Sequence, residues 1–179
     1  IPLLTSRGCP YECIFCAAKT ATGRRFKPRS AQRVADELQY WYDNGKRRFA
    51  IIDDNFTLKK GRVLQLCQEI EDRQFRDLEL RCPNGVRADR VDAELLTRMR
   101  SVGFRYLAFG VESGSSRILK GINKGESLAA IKRSIRLACD LGYDVALFFI
   151  VGLPGETWRD IEESVDGIDR DIILLLQKI

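Results

Sequence analysis

Apolar positions recur along the chain with two alternating spacings, one typical of strands and the other of helices. This alternation predicts a repeated βα pattern. The predicted strands are Leu3–Ser6, Phe49–Ile52, Leu78–Cys82, Tyr106–Val111, Val145–Val151 and Asp171–Leu176. The predicted helices are Ala31–Asn44, Gly61–Asp72, Asp92–Ser101, Ser115–Lys120, Leu128–Leu141 and Thr157–Gly167. Ser30 is the expected N-cap of the first long helix, and Gly142 is the expected stop after Leu141.

Five βα units and the start of a sixth predict a parallel α/β sheet with helices packed outside it. The hydrophobic period alone does not separate an open doubly wound sheet from a full or partial barrel. No low-complexity segment or linker interrupts the sequence, so we expect one domain over residues 1–179. Because the sequence starts inside one apolar run and ends just after another, we expect a fragment of a longer protein.

Composition narrows the class of protein. No apolar run approaches the roughly 18 residues that a membrane span requires, and we expect a cytoplasmic protein. The chain has six cysteines and no histidine. The absence of histidine excludes Ser/His and Cys/His catalysis and every zinc site that needs an imidazole ligand. Six cysteines in a chain of this size indicate reduced thiols more than a disulfide framework.

The net charge is +5, and many basic residues fall in two stretches, Lys19–Arg29 and Lys46–Arg48. Such a basic patch could bind nucleic acid or another anion. A solvated surface is the more ordinary interpretation, so nucleic acid is not the favoured partner.

Three cysteines are bunched on one short stretch, at Cys9, Cys13 and Cys16. Three thiolates on one loop can hold a metal or a cluster. A structural zinc site needs a fourth ligand, which Cys67, Cys82 or Cys139 would have to supply. Only Cys82, at the end of a predicted strand, is a credible recruit. A [4Fe–4S] cluster needs only the three thiolates and leaves one iron open, and this interpretation is favoured.

Polar and glycine residues follow each of the first five predicted strands, where parallel α/β proteins place their sites. These strand-end residues are 7–9, 53–55, 84–87, 112–114 and 152–156. Because the ends of parallel strands share one rim, the pattern predicts a ligand site beside the cysteines.

These residues together resemble the radical S-adenosylmethionine (radical SAM) superfamily. The resemblance rests on the cysteine spacing with Phe15 before the last cysteine, and on further motifs in the family's order. Those motifs are residues 5–10, 53–56, 87–89, 109–114 and 152–156. The resemblance covers nearly the whole chain and is closest to the branch that often carries a cobalamin domain ahead of the core. It implies a partial TIM-type (β/α)6 barrel, of which these residues hold five units and the start of a sixth.

The resemblance implies a radical SAM enzyme with two cofactors, a [4Fe–4S] cluster and S-adenosylmethionine. In the family, the reduced cluster cleaves S-adenosylmethionine to methionine and a 5′-deoxyadenosyl radical, which takes hydrogen from a substrate. An electron donor of the flavodoxin or ferredoxin type is then an expected partner, and cobalamin would bind a domain outside these residues. The alternative function is a structural or electron-transfer iron–sulfur module, or a zinc module, without this chemistry.

The resemblance also implies roles for single residues, carried over by position. Cys9, Cys13 and Cys16 resemble the cluster ligands. Phe15 resembles a residue near adenine, although loop packing would explain it equally well. Asp53, Asp54 and Asn55 stand where many relatives use a glycine-glycine-glutamate turn to meet the cofactor's amino group. Because the sequence departs from that form, which of Asp53 and Asp54 makes the contact stays open, as does a role in a cap or turn.

Four further residues are implied in cofactor binding beside Arg87. Glu112 and Ser113 resemble residues that contact the ribose or the methionine end of the cofactor. Gly152 and Gly155 resemble a turn that passes close to adenine, although a plain βα turn would have the same sequence. Arg87 either pairs with the cofactor carboxylate or forms a structural pair with Asp89.

Overall fold

A computed structural model of the chain describes residues 1–166. The predicted strand Asp171–Leu176 and the end of the predicted helix Thr157–Gly167 lie outside the described residues. The strands are β1 (Pro2–Leu3), β2 (Ser6–Arg7), β3 (Lys27–Pro28), β4 (Arg48–Ile51), β5 (Glu79–Val86), β6 (Phe104–Glu112) and β7 (Asp144–Phe149).

Five of these strands form one parallel sheet in the order β1-β4-β5-β6-β7. Within this sheet, each strand therefore pairs with the sheet strand that follows it along the chain, and the order never reverses. A doubly wound sheet requires such a reversal. The single direction of winding agrees with the expected partial barrel and excludes the doubly wound alternative for residues 1–166.

The helices of residues 1–166 are α1 (Ala18–Ala21), α2 (Ala31–Asp43), α3 (Lys60–Asp72), α4 (Ala93–Ser101), α5 (Ser116–Gly121), α6 (Leu128–Asp140) and α7 (Trp158–Asp166). The helices α2, α3, α4 and α6 pack on one face of the sheet. The Ser30 side chain accepts a hydrogen bond from the Arg33 backbone N–H, which confirms it as the N-cap of α2. Gly142 has a φ of +75° directly after α6, as expected of a helix stop. Within residues 1–166 no helix is long and apolar enough to cross a membrane.

The core lies between the sheet and these helices. Alternate side chains of the strands, such as Leu80 and Phe104, pack on the apolar faces of the helices, such as Leu38, Leu66 and Leu95. Side chains at the intervening positions point to the other face of the sheet, where Arg81 and Ile52 are exposed. The helix-covered face stabilises the fold and leaves the strand ends free to carry polar groups.

The first predicted strand, Leu3–Ser6, is wrong in its bounds. The chain leaves the parallel sheet after Leu3 and forms the antiparallel pair β2–β3 from Ser6. The cause is Asp53, whose Oδ1 accepts the Thr5 backbone N–H at 2.6 Å in place of a strand partner. A buried carboxylate from the end of β4 thus redirects the chain just before the first cysteine.

Candidate cofactor site

The cysteine loop begins at a backbone crossing that only glycine permits. Gly8 has a φ of +86°, and a Cβ there would lie 2.3 Å from the Arg25 carbonyl oxygen. This close approach lets the Cys9 backbone N–H donate to the Gly23 carbonyl at 3.2 Å. At its far end the loop is tied to the segment after α5, because the Ile14 N–H donates to the Ile122 carbonyl. The loop is therefore anchored at both ends.

All three loop cysteines line one cavity of about 340 Å³. Tyr11, Lys19, Arg24 and Asn123 are among its other lining residues. The structure thus brings Cys9, Cys13 and Cys16 to one place, as the spacing predicts. Cys67 and Cys82 are buried in the core instead, so Cys82 is not a lining residue of this cavity.

The three residues after β4 brace the chain that leads into the cysteine loop. The Asp53 carboxylate accepts hydrogen bonds at 2.5–2.6 Å from the Thr5 backbone N–H, the Thr5 hydroxyl and the Ser6 hydroxyl. It also lies 3.5 Å from the Arg62 guanidinium. Asp54 is half-buried and accepts the Gly8 backbone N–H at 2.7 Å. Because Asp53 is fully buried and saturated, Asp54 is the more accessible of the two carboxylates.

Asn55 is the member of this group that reaches a cysteine. Its side-chain nitrogen lies 3.8 Å from the Sγ of Cys9, while its Oδ1 is buried without a hydrogen-bond partner in the described structure. The strand-end residue therefore faces the thiol directly.

Arg87 forms the structural pair with Asp89, at 2.9 Å, and also donates to the Lys124 carbonyl. Its guanidinium carbon lies 3.6 Å from the centroid of the Tyr11 ring, a cation–π contact. The Tyr11 hydroxyl accepts a hydrogen bond from Arg90 at 2.6 Å. Tyr11, which the sequence did not single out, thus connects the cysteine loop to the end of β5.

Glu112 is held in an uncommon backbone conformation at the end of β6. Its φ is +67°, in the left-handed region, and the β6–β7 register shifts just before it. This geometry turns its carboxylate toward the buried Lys124, with Oε1 2.9 Å from Nζ. A Cβ at Gly110 would lie 2.6 Å from the same carboxylate oxygen, so glycine makes room for the pair.

Lys124 is a second residue of the site that the sequence analysis did not single out. It stands in a turn after a short helix, where no periodic pattern marks a buried position. Besides Glu112 it contacts Glu126 at 3.4 Å, and Glu126 lies 3.7 Å from Arg87. The segment Asn123-Lys124-Gly125 offered only one signal, a charged side chain next to a glycine. The result is a buried charge network beside the cysteine loop.

The remaining predicted residues have mixed surroundings. Ser113 is buried, and its hydroxyl accepts the Ser115 N–H at 3.1 Å. Gly152 and Gly155 both have positive φ, and the Gly152 N–H donates to the Glu156 carboxylate at 2.6 Å. The Phe15 ring is 37% exposed, so loop packing alone does not account for it.

Comparison with known families matches residues 3–168 to the Radical SAM superfamily. The chain belongs to the radical SAM superfamily. This assignment confirms the family that the cysteine spacing and strand-end motifs resemble. A radical SAM domain implies two cofactors, a [4Fe–4S] cluster and S-adenosylmethionine.

Two curated relatives illustrate the branch of this radical SAM domain. It is 36% identical over 174 residues to the cytidylyl-2-hydroxyethylphosphonate methyltransferase of Streptomyces wedmorensis, covering 93% of this chain and 32% of the relative. The chain is 30% identical over 164 residues to the uncharacterized methyltransferase PH0819 of Pyrococcus horikoshii. The match covers 91% of this chain and 35% of the relative. The chain thus spans about a third of the length of these relatives.

Solved structures give the same fold. The radical S-adenosylmethionine methyltransferase TsrM from Kitasatospora setae, solved with cobalamin and a [4Fe–4S] cluster, matches with a TM-score of 0.86 at 23% identity. The match covers 97% of this chain and 32% of TsrM. The cobalamin-dependent radical enzyme OxsB matches with a TM-score of 0.83 at 24% identity, over 94% and 26% of the two chains. The partial-barrel architecture of radical SAM proteins is therefore confirmed.

The donor set of the radical SAM loop fits a cluster better than a single metal ion. Within residues 1–166, no three cysteine or carboxylate side chains converge closely enough to hold one ion. A [4Fe–4S] cluster does not require such convergence, because each cysteine binds a different iron. The three loop thiols are free and share one cavity, while the fourth candidate, Cys82, is buried in the core. Three thiolates with one open iron are what this arrangement can hold.

The charge network also acts on the loop thiols. The pKa of the Cys13 thiol is raised, chiefly by burial and also by the neighbouring Cys16 and Cys9, while Lys124 and Arg87 lower it. These two cations therefore offset part of the effect of burial and favour the thiolate form that binds a cluster.

Proposed function

We propose that the full-length protein is a radical SAM enzyme that reductively cleaves S-adenosylmethionine and uses the resulting 5′-deoxyadenosyl radical on an unidentified substrate. The observation that carries this proposal is the single cavity lined by Cys9, Cys13 and Cys16. The ends of β4 and β5 contact the anchored loop through Asn55 and Arg87, and the segment after α5 contacts it through Ile122.

In this proposal the three thiolates hold the cluster, and the bound cofactors supply the electron transfer and the radical. The polypeptide positions the cofactors and sets the electrostatic potential around them. The buried Lys124 and Arg87 keep positive charge beside the loop, and Asp54, Asn55 and Ser113 present polar groups at the neighbouring strand ends. Phe15, Gly152 and Gly155 remain our candidates for contacts with the adenosyl part.

We further propose that residues 1–179 are the core domain of a longer, cytoplasmic methyl-transferring enzyme. Methyltransferases among the relatives support this reaction class, and cobalamin-bound structural neighbours support a cobalamin domain outside these residues. The identity of the methyl acceptor is not fixed by this similarity.

The experiment uses the full-length protein, reconstituted anaerobically with iron and sulfide. With dithionite as reductant it should convert S-adenosylmethionine to 5′-deoxyadenosine, and Cys13→Ala should lose both the cluster absorbance and this product. A full cluster that yields no 5′-deoxyadenosine would contradict the proposal and favour a structural or electron-transfer iron–sulfur module. A protein that binds zinc but no cluster would contradict it as well.

The methyl-transfer part has its own measurement. The full-length protein is supplied with S-adenosylmethionine carrying a labelled methyl group, with hydroxocobalamin, and with a reductant strong enough to convert the hydroxocobalamin to cob(I)alamin, the nucleophile that accepts a methyl cation. Transfer of the label to cobalamin is expected. Failure of the purified protein to bind cobalamin would contradict this part while leaving radical formation intact.

A further inference from the structure

The positive charge of this chain is concentrated around the cysteine loop. Residues 7–29 contain six basic side chains and one acidic side chain, an excess of five. The whole chain has the same net charge of +5, with 30 basic and 25 acidic residues. The other residues are therefore electrically balanced, with 24 of each sign, and the charge excess belongs to the segment that contains the cysteines.

Four exposed side chains of this segment form what we call the basic rim: Arg7, Lys19, Arg25 and Lys27. No carboxylate of residues 1–166 lies within ion-pair distance of any of them. Some exposed basic residues on the helices do have a carboxylate partner. Arg117 pairs with Asp160, and Arg159 pairs with Glu163.

The concentration of positive charge destabilises the antiparallel pair β2–β3. Arg7 and Lys27 stand directly opposite each other in its register, and both are exposed. Like charges at directly opposed positions destabilise a strand pair. Nothing in the described fold compensates for this repulsion, so the rim is suited to an anionic partner from outside the domain.

Beside the basic rim, the cysteine loop exposes an apolar side chain and a cluster ligand. Ile14 is 54% exposed, Cys16 is exposed as well, and both line the cysteine cavity together with Lys19 of the rim. Exposed apolar surface bordered by charged residues is the usual anatomy of a protein–protein interface. An electron entering through this surface would reach the cluster at its solvent edge.

The aromatic residues of the segment do not favour nucleic acid. Single-stranded nucleic acid binds exposed rings on which bases stack. The Phe26 ring instead faces Arg62 and Lys59, at 5.9 and 5.8 Å, and the Tyr11 ring faces Arg87. Of the three aromatic residues in this segment, only Phe15 is exposed, and one ring is too few to stack successive bases.

We propose that the basic rim, together with Ile14, is the docking surface for an acidic electron-transfer protein that reduces the cluster. This proposal rests on the proposed function. In each encounter the donor loses one electron and the oxidised [4Fe–4S]²⁺ cluster gains it, becoming [4Fe–4S]⁺. The rim steers the acidic partner by long-range attraction, and contact with Ile14 brings the partner's redox group close to Cys16.

The experiment compares two double charge reversals in the reconstituted full-length protein. Arg25→Glu/Lys27→Glu alters the rim without touching the cysteine cavity. Lys46→Glu/Arg76→Glu is the matched control, because both residues are exposed and lie in loops that precede β4 and β5, at the opposite ends of the strands. Cluster reduction by a fully reduced acidic flavodoxin is followed by stopped-flow absorbance at low salt.

We expect the second-order rate constant to fall about tenfold or more in the rim variant and to change little in the control. At 1 M salt the rate constants of the rim variant and the wild type should become similar, because the salt screens the long-range attraction that steers the partner. Equal rates for the rim variant and the wild type at low salt, or an equal loss in the control, would overturn the proposal.

Dithionite separates this proposal from the proposed function. If dithionite reduces the cluster and supports 5′-deoxyadenosine formation in every variant, a loss confined to flavodoxin locates the defect in docking. If dithionite gives no product even in the wild type, the proposed function is wrong and the docking proposal is overturned with it. A gel-shift assay with tRNA is run in parallel. Binding of tRNA that only the rim variant loses, with flavodoxin rates unchanged, would identify a nucleic-acid site and overturn the proposal.

Discussion

The side-chain nitrogen of Asn55 lies 3.8 Å from the Sγ of Cys9, and both groups are shielded from solvent to a large degree. If Cys9 is a thiolate, the amide must present its N–H and not its oxygen, because an oxygen would be repelled by the negative sulfur. A hydrogen bond to a cluster sulfur stabilises the reduced, more negative state. Asn55 thus acts through Cys9 and not by touching substrate.

We predict that Asn55→Leu lowers the midpoint potential of the cluster, on the order of tens of millivolts, because the reduced state loses a hydrogen bond. The measurement is a redox titration followed by electron paramagnetic resonance on the reconstituted full-length protein. Asn84→Leu is the control, since that amide donates to the Ile52 carbonyl and no contact joins it to a cysteine. An unchanged or raised potential in Asn55→Leu would contradict the prediction.

Asp53→Asn tests whether the buried carboxylate after β4 is structural. The substitution leaves the Arg62 guanidinium buried without its countercharge and weakens the bonds from Thr5 and Ser6. Burial already lowers the pKa of Arg62, and the Asp53 charge opposes that shift. We expect a loss of about 3 kcal/mol in the free energy of unfolding, measured by chemical denaturation.

Asp54→Asn is the matched variant for this prediction. Asp54 is half-buried and accepts a hydrogen bond from the Gly8 N–H at 2.7 Å. We expect its unfolding free energy to fall by about 1 kcal/mol. Equal losses in the two variants would show that the Arg62 pair does not distinguish Asp53.

Lys124→Met tests the buried charge network. The change leaves the carboxylate of Glu112 without its partner at 2.9 Å, and it removes the cation that lies 3.4 Å from Glu126. We expect a loss of about 3 kcal/mol in unfolding free energy, because an unpaired buried carboxylate is costly. The double variant Glu112→Gln/Lys124→Met should lose less than the sum of the single changes, by about 1 kcal/mol or more. Strict additivity in this cycle would exclude direct coupling.

Much of the fold was predictable because it follows from local periodicity. The amphipathic helices α2, α3 and α6 begin and end within a residue or so of their predicted bounds. The strand order was not determined by the hydrophobic period, and only the resemblance favoured the partial barrel. The short elements β2, β3 and α1 were missed, because two to four residues are too few to show a period.

The candidate site was predictable where it depended on residues close in sequence. Cys9, Cys13 and Cys16 share a loop, so their spacing alone placed them together. Contacts between distant residues could not be read in this way. The pairing of Lys124 with Glu112 depends on a positive φ and a register shift at the end of β6, and the redirection of Thr5 by Asp53 depends on two segments 48 residues apart.

Asp160 links the start of α7 to the end of β6. Its carboxylate accepts from the Thr157 hydroxyl at 2.6 Å and from the Ser115 hydroxyl at 2.7 Å, and it also pairs with Arg117. These bonds hold the pKa of Asp160 well below its ordinary value, with the Thr157 hydroxyl first among the causes. A carboxyl group with a lowered folded-state pKa stabilises the fold when it is ionised.

The stabilisation by Asp160 is therefore fully present above the unfolded-state pKa, near 3.8, and is lost as the pH falls toward the lower folded-state pKa. We predict that Asp160→Asn lowers the melting temperature at pH 7 and that its difference from the wild type shrinks progressively below about pH 4. Differential scanning calorimetry from pH 7 to pH 3 measures this difference. Glu162→Gln, at an exposed position of the same helix, should show no such pH-dependent gap. A gap that stays constant across this range would mean that Asp160 acts by packing and not through its charge.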